Sequence, residues 1–312
     1  MPSTPASRAR IAPPKHDRAF ESAAGQLVEL TPLVRRMVAG NGGPFTFTGT
    51  CSYVIGRGQV AILDPGPDDP AHVAALLHAL RAETVTHVIV THTHRDHSPA
   101  VPAIKAATGA IVAGCAPHFA ARELALGEIN RLDASADHDY RPEIGLADGD
   151  VVEGQGWRLE ALATPGHTAN HLAFALPEEA ALFSGDHVMA WSTSIVAPPD
   201  GSMADYMASL EKLRGREDRL YWPGHGGPLR QPERYLRALM HHRRQREHSI
   251  LGRVKAGDRT IPAVVAQVYE GLDPRLTGAA ALSVFAHLED LVARGLVACI
   301  NGPVTLGGEF VA

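Results

Sequence analysis

The sequence predicts an α/β protein followed by a small α+β module at its C-terminal end. Three observations carry this reading. Short β-branched runs alternate with helical stretches as far as about residue 225. Several of those runs end at a turn glycine that is followed at once by a histidine or an aspartate. Beyond residue 232, three helical stretches lead into two apolar runs around Asn301-Gly302-Pro303.

In order along the chain, residues 1–24 read as a flexible tail. Pro2, Pro5, Pro13 and Pro14 oppose a helix, and no apolar core of a secretory signal is present. Apolar runs at 53–55 and 60–63 flank Gly56-Arg57-Gly58, a hairpin signal, and the second run ends at Asp64-Pro65-Gly66. Val73, Leu76, Leu77 and Leu80 have helical spacing over 71–80. Residues 85–90 form a β-branched buried strand, after which Ser98-Pro99 predicts an N-cap with proline at the first helical position. Further strands are expected at 111–112, 158–163, 181–183 and 220–222, and helices at 117–126 and 203–213. The polar stretch 133–149 is a candidate lid or substrate loop. A helix over 232–252 carries Arg234, Arg237, Arg243, Arg244 and Arg246. Thr260 caps the next helix, Thr277 opens the last one, Gly295 ends it, and runs at 296–300 and 304–310 form a terminal hairpin. The expected plan is a tail at 1–24, a main domain at 25–231, a basic linking helix at 232–252 and a winged-helix-like domain at 253–312.

Composition excludes some functions. A net charge of −5 argues against a basic nucleic-acid coat. Three scattered cysteines form no C-x-x-C pair and point to a reducing, cytoplasmic location. No apolar run of membrane length stands out, so no membrane partner is expected. The 17 histidines raise the question of metal, because imidazole is the commonest metal ligand.

The densest cluster is Thr91-His92-Thr93-His94-Arg95-Asp96-His97, directly after the strand at 85–90. His92 and His94 are two apart and face the same way in extended chain. Burying three imidazoles and a carboxylate unpaired would be costly, and a divalent cation would compensate them. The arrangement repeats: strands lead into Thr164-Pro165-Gly166-His167, Ser184-Gly185-Asp186 and Pro223-Gly224-His225. Side chains at the ends of neighbouring strands can converge while the strands hold them rigid.

These four motifs, in this order, resemble the metallo-β-lactamase fold superfamily over roughly residues 26–230. The resemblance implies a four-layer αβ/βα sandwich, followed here by the winged-helix-like module. The segments GGPFTFTGTCSYVIG, ATPGHTANHLAFALPEEAALFSGD and DYMASLEKL, with the basic helix and module after them, resemble its β-lactamase-like protein 2 branch. Carried over by position, His92, His94 and His167 would hold one metal, and Asp96, His97 and His225 a second, with Asp186 bridging. Two zinc ions are the implied cofactor, though manganese or iron also accepts this donor set. Bound metal lowers the pKa of water from about 15.7 to near 7, so hydroxide exists at neutral pH without a strong protein base. Asp96 and His171 are the catalytic candidates, His171 as a substrate contact or proton donor to a leaving group. Asp64 would orient a ligand, and His187 reads as packing or support. His16, His72, His78, His87, His118, His138 and His287 carry no expected role.

The resemblance leaves the substrate open. A small acyl compound (thioester, lactone or related ester) is the first reading. A single-stranded RNA endonuclease, as in a mitochondrial member of the branch, is the alternative, and a non-catalytic metal-binding protein the third. Residues 230–248 hold a local +4, which could guide a phosphodiester backbone or simply be a solvated helix face. Duplex DNA is not expected, because the last helix carries Glu289 and Asp290 where a recognition helix offers basic or amide side chains. The module would instead wall the cleft or join two copies in a homodimer. Without an export signal, action on β-lactam antibiotics is not expected.

Overall fold

Period-two patterning builds two sheets that lie face to face. The computed structural model describes residues 14–126 and 128–312. The first sheet runs β1 (Val28–Glu29), β2 (Val34–Val38), β3 (Cys51–Arg57), β4 (Gln59–Leu63), β5 (Thr84–Val90), β6 (Ile111–Gly114) and β7 (Ile144–Gly145), in that order. It is antiparallel up to β4 and parallel beyond. The second holds β8 (Val151–Gly154), β9 (Trp157–Ala163), β10 (Leu172–Leu176), β11 (Ala181–Gly185) and β12 (Leu220–Pro223), with only the β11–β12 pair parallel.

Strand β10 shows how the layers form. Leu172, Phe174 and Leu176 point into the core shared with the first sheet. Ala173 and Ala175 point the other way, against the helix α3 (Met203–Arg214). Helices α1 (Pro70–Ala79) and α2 (Val101–Thr108) lie on the other side of the first sheet's core, completing four layers. The C-terminal module consists of α4 (Pro232–Lys255), α5 (Ile261–Val268), α6 (Thr277–Ala293) and a short hairpin of β13 (Ala298–Cys299) with β14 (Phe310–Val311). Its own core includes Ile250, Ile261, Val264, Phe285, Leu288 and Phe310. Contacts of α3 with α4 and α6 join it to the sandwich.

Several local expectations change. The tail reading reaches too far. Residues 1–13 lie outside the described residues, but 14–24 run against the body. Asp17 N–H donates to Ala190 O at 2.9 Å, His16 Nδ1 lies 3.2 Å from the Tyr235 hydroxyl, and Arg36 stacks on Phe20. No helix forms over 117–126, whose apolar Phe119, Leu124 and Leu126 are all exposed and so gain no buried face. Ser98 does not cap α2. Its hydroxyl donates to Asp137 at 2.6 Å, and the helix starts after Ala100 without a side-chain cap. Within the 133–149 stretch Asp137 and Tyr140 are buried in the body, so it is not a free lid, while Ser135 lines the cleft described below. By length and composition the stretch Pro274–Ala293 is apolar enough to cross a membrane, against the expectation that no such run exists. Here its Leu282, Val284, Phe285 and Leu288 are buried inside the protein.

Candidate metal centre

The four ligand-bearing motifs sit where strands β5, β9, β11 and β12 end. Glycines make the turns that bring them together. A Cβ on Gly185, which has φ +48°, would lie 2.5 Å from His171 Nε2, and one on Gly224 would collide with Asp186 Oδ1. With those turns made, seven side chains converge. His94 Nδ1 lies 3.1 Å from His92 Nε2 and 3.0 Å from His167 Nε2. Asp96 Oδ2 lies 3.1 Å from His225 Nε2 and 3.3 Å from His97 Nε2. Asp186 stands between the two triads: Oδ2 is 3.3 Å from His225 and 3.7 Å from His167, and Oδ1 is 3.6 Å from His97.

Four of the five rings are aimed by their other nitrogen. Thr91 Oγ1 donates to Asp64 Oδ2 at 2.8 Å, so its oxygen is left to accept from His92 Nδ1 at 2.9 Å. The same Asp64 oxygen accepts from His97 Nδ1 at 2.9 Å. Backbone carbonyls take the rest: Ile195 O accepts from His167 Nδ1 at 2.6 Å, and Gly49 O from His225 Nδ1 at 3.3 Å. Four rings thereby turn Nε2 inward, the arrangement by which hydrogen bonds behind a metal site fix ligand tautomers. Asp64 adopts φ +51°, an uncommon backbone for a residue with a side chain. Its other oxygen accepts from Thr91 N at 2.8 Å, so one carboxylate orients two ligand rings, His97 directly and His92 through Thr91.

The electrostatics differ across the cluster. Burial pushes the His92, His94 and His167 imidazoles down, His94 to about 3, so all three are neutral donors. Burial also pulls on His97 and His225, but facing carboxylates outweigh it. Asp96, Asp186 and Asp64 hold His97 well above its usual value, and Asp186 and Asp96 raise His225 to about 10. Burial likewise works against Asp96 and Asp186 as anions, yet His97 and His225 keep both below the usual carboxylate range. The donors fit divalent cations: among the described residues His97 Nε2 and Asp186 Oδ1 are buried without a hydrogen-bond partner, and three overlapping groups of these residues have metal-ligand spacing. An unpaired buried polar atom costs about 1–3 kcal/mol, and a cation between these two would satisfy both.

All seven sequence-predicted ligands meet here. His171 does not join them as a catalytic group. It is 1% exposed, its Nε2 accepts from Asp186 N at 3.2 Å, and its Nδ1 lies 2.8 Å from Thr164 Oγ1. With both nitrogens engaged below the cleft, it supports the Asp186 turn instead of touching substrate. His187 is buried against Tyr206, with ring centroids 4.6 Å apart. Asp96 does face the cleft, at a quarter exposed, with Thr50 Oγ1 donating to its Oδ2 at 3.1 Å.

Above the cluster opens a cleft of about 460 Å³. The sequence does not announce its wall: Phe45, Trp191 and the Tyr269–Leu272 turn come from three separate segments, and His16 from the expected tail. The ring of Trp191 stacks on Phe47 at 4.9 Å. A tryptophan beside the Ser-Gly-Asp-His run was the one available signal.

A two-sheet sandwich with its helices outside and seven histidine and aspartate donors at its strand ends defines a metallo-hydrolase. The chain belongs to the metallo-beta-lactamase superfamily, whose family model matches residues 45–225. A beta-lactamase associated winged helix domain matches residues 260–302. Among curated relatives, a beta-lactamase-like protein 2 homolog of Drosophila melanogaster is 31% identical over 283 residues, covering 86% of this chain and 91% of its own length. An atrochrysone carboxyl ACP thioesterase of Claviceps purpurea (strain 20.1) is 28% identical over 261 residues, covering 78% and 75%. A solved metallo-beta-lactamase family protein from Thermus thermophilus shares the fold with a TM-score of 0.73 at 23% identity, covering 91% of this chain and 99% of that one.

Proposed function

We propose that the protein hydrolyses a small acyl compound, a thioester, lactone or related ester, with two zinc ions as cofactor. His92, His94 and His167 would hold one ion, Asp96, His97 and His225 the other, and Asp186 both. Zinc suits tetrahedral imidazole and carboxylate sets without cysteine. Such ions supply Lewis acidity and ionise water near neutral pH. The chain's own part is to bind and orient. Asp96 faces the cleft with Thr50 Oγ1 donating to its Oδ2, and is the carboxylate placed to orient the attacking water.

The observation that carries the acyl reading is the cleft itself. It is of small-molecule size, and Phe45, Leu132, Met189, Trp191, Ile195 and Leu272 make its wall apolar. A thioesterase among the relatives supports it. Single-stranded RNA is the second reading, favoured by exposed Arg234 and Arg244 on α4. A panel of an acyl thioester, a lactone, a chromogenic β-lactam and a single-stranded oligonucleotide, run on one metal-assayed sample, separates them. Multiple turnover of the thioester or lactone without oligonucleotide cleavage is expected. Cleavage of the oligonucleotide alone would replace the acyl reading with the nuclease.

A further inference from the structure

Helix α4 turns two arginines, three residues apart and so on one face, into the cleft. Arg243 is 4% exposed. Its Nη2 donates to Ser194 O at 2.5 Å, its guanidinium lies 5.0 Å over the Tyr206 ring, and its buried Nε has no partner among the described residues. Arg246 donates Nη1 to Val268 O at 2.8 Å and stacks 4.1 Å over Tyr269. His242 beside them also lines the cleft, its buried Nδ1 without a partner among the described residues. Among the described residues the ion pairs of this helix belong to Glu233, Arg237, Glu247 and Arg253, and neither Arg243 nor Arg246 has a carboxylate partner. The carboxylates that line the cleft among those residues, Asp96 and Asp186, are committed to the donor cluster.

A guanidinium held out of water without a counter-charge is costly unless a ligand supplies one. Stacked aromatic rings and carbonyl bonds fix both forks while leaving donors free, the pre-organisation that suits a carboxylate or a phosphate. The loop that holds Arg243 also ties it to the donor cluster: Ser194 O takes Arg243, and the next carbonyl, Ile195 O, takes His167. An anion on the arginines would therefore sit at a set separation from the reacting end.

We propose that Arg243 and Arg246 bind an anionic group of the substrate, a carboxylate or phosphate ester remote from the bond that breaks. This rests on the acyl-hydrolase reading. A small anionic compound is favoured over a polynucleotide because the two cations share the cleft with apolar Ile195, Tyr269, Leu272 and Leu276, while Arg234 and Arg244 lie outside it.

The test uses three thioesters on the full metal-loaded chain: hexanoyl and adipoyl groups on N-acetylcysteamine, and hexanoyl on phosphopantetheine. Wild type should prefer one of the two anionic compounds over the neutral one by about tenfold or more in kcat/KM, and which one identifies the source of the charge. In Arg246→Gln the preference should collapse toward unity through a raised KM, and Arg246→Lys should restore part of it. The ratio is the readout, so a general loss of activity leaves it unmoved. No preference in wild type, or a preference unchanged in Arg246→Gln, overturns the proposal. So does loss of oligonucleotide cleavage in Arg246→Gln with the ratio intact. If wild type hydrolyses none of the three, the acyl reading fails separately, and calorimetry with adipate decides the anion site. Binding weakened about tenfold in Arg246→Gln supports it, and equal binding defeats it.

Discussion

The floor and the wall of the cleft are built by different rules. The floor is made of strand ends: side chains after β5, β9, β11 and β12, with four of its five histidine rings aimed by a hydrogen bond from behind. The wall is made of loops and one helix face, held by aromatic stacking and single carbonyl bonds. Rigid strands therefore define the chemistry, and adaptable segments choose what enters.

The sharpest way to break this contrast is to remove a floor residue. His94→Ala or Asp186→Ala should abolish hydrolysis while the circular dichroism spectrum stays native, because neither side chain belongs to the hydrophobic cores. Undiminished turnover in either variant would defeat the assignment. One step behind the floor, Asp64→Asn keeps a residue type that tolerates φ +51° but removes one acceptor from the Thr91 and His97 pair. Metal affinity or activity should fall about 10- to 100-fold. An unchanged metal titration would show that the rings need no such support.

On the wall, Trp191→Ala should raise KM about 3- to 10-fold with kcat nearly constant, the worth of about 1 kcal/mol of aromatic contact. Steady-state kinetics on the thioester checks it, and a fall in kcat of the same size would place Trp191 in the chemistry. The smallest effect concerns stability. His287 is buried, and among the described residues neither of its nitrogens has a partner. Burial, with Arg243, Arg246, His242 and Arg294 nearby, lowers it to about 3. The unfolded chain therefore binds a proton near pH 6.5 that the folded chain refuses. The contribution is fully present above pH 6.5 and is lost as pH falls below it, by up to about 1.4 kcal/mol per pH unit. His287→Leu should flatten the acid limb of a Tm-against-pH curve between 6.5 and 5. An identical acid limb would mean the histidine finds a partner.

The same division governs what could be read from the sequence. Floor residues announce themselves because a strand, a glycine and a histidine or aspartate are contiguous in the chain, as at Leu220 to His225. The aiming groups were half visible: Asp64 stood out at its strand end, but the Ile195 and Gly49 carbonyls have no sequence signature. His171 misled because spacing from His167 says nothing of which side of the strand end the ring lies on. The wall escaped because Phe45, Trp191 and Tyr269 meet only through tertiary packing. The expected helix at 117–126 failed for a related reason. Arg122 is drawn to Glu128 and Glu289, and Ala125 N bonds Glu128 at 2.9 Å, so local polar contacts replace a helix with nothing to bury.

Metal stoichiometry tests the central claim most directly. Mass spectrometry under native conditions on the reconstituted chain should find two divalent ions in wild type and fewer in His94→Ala. A wild-type chain that hydrolyses its substrate with no bound ion, or a His94→Ala chain that still carries two, would contradict a floor built to hold metal.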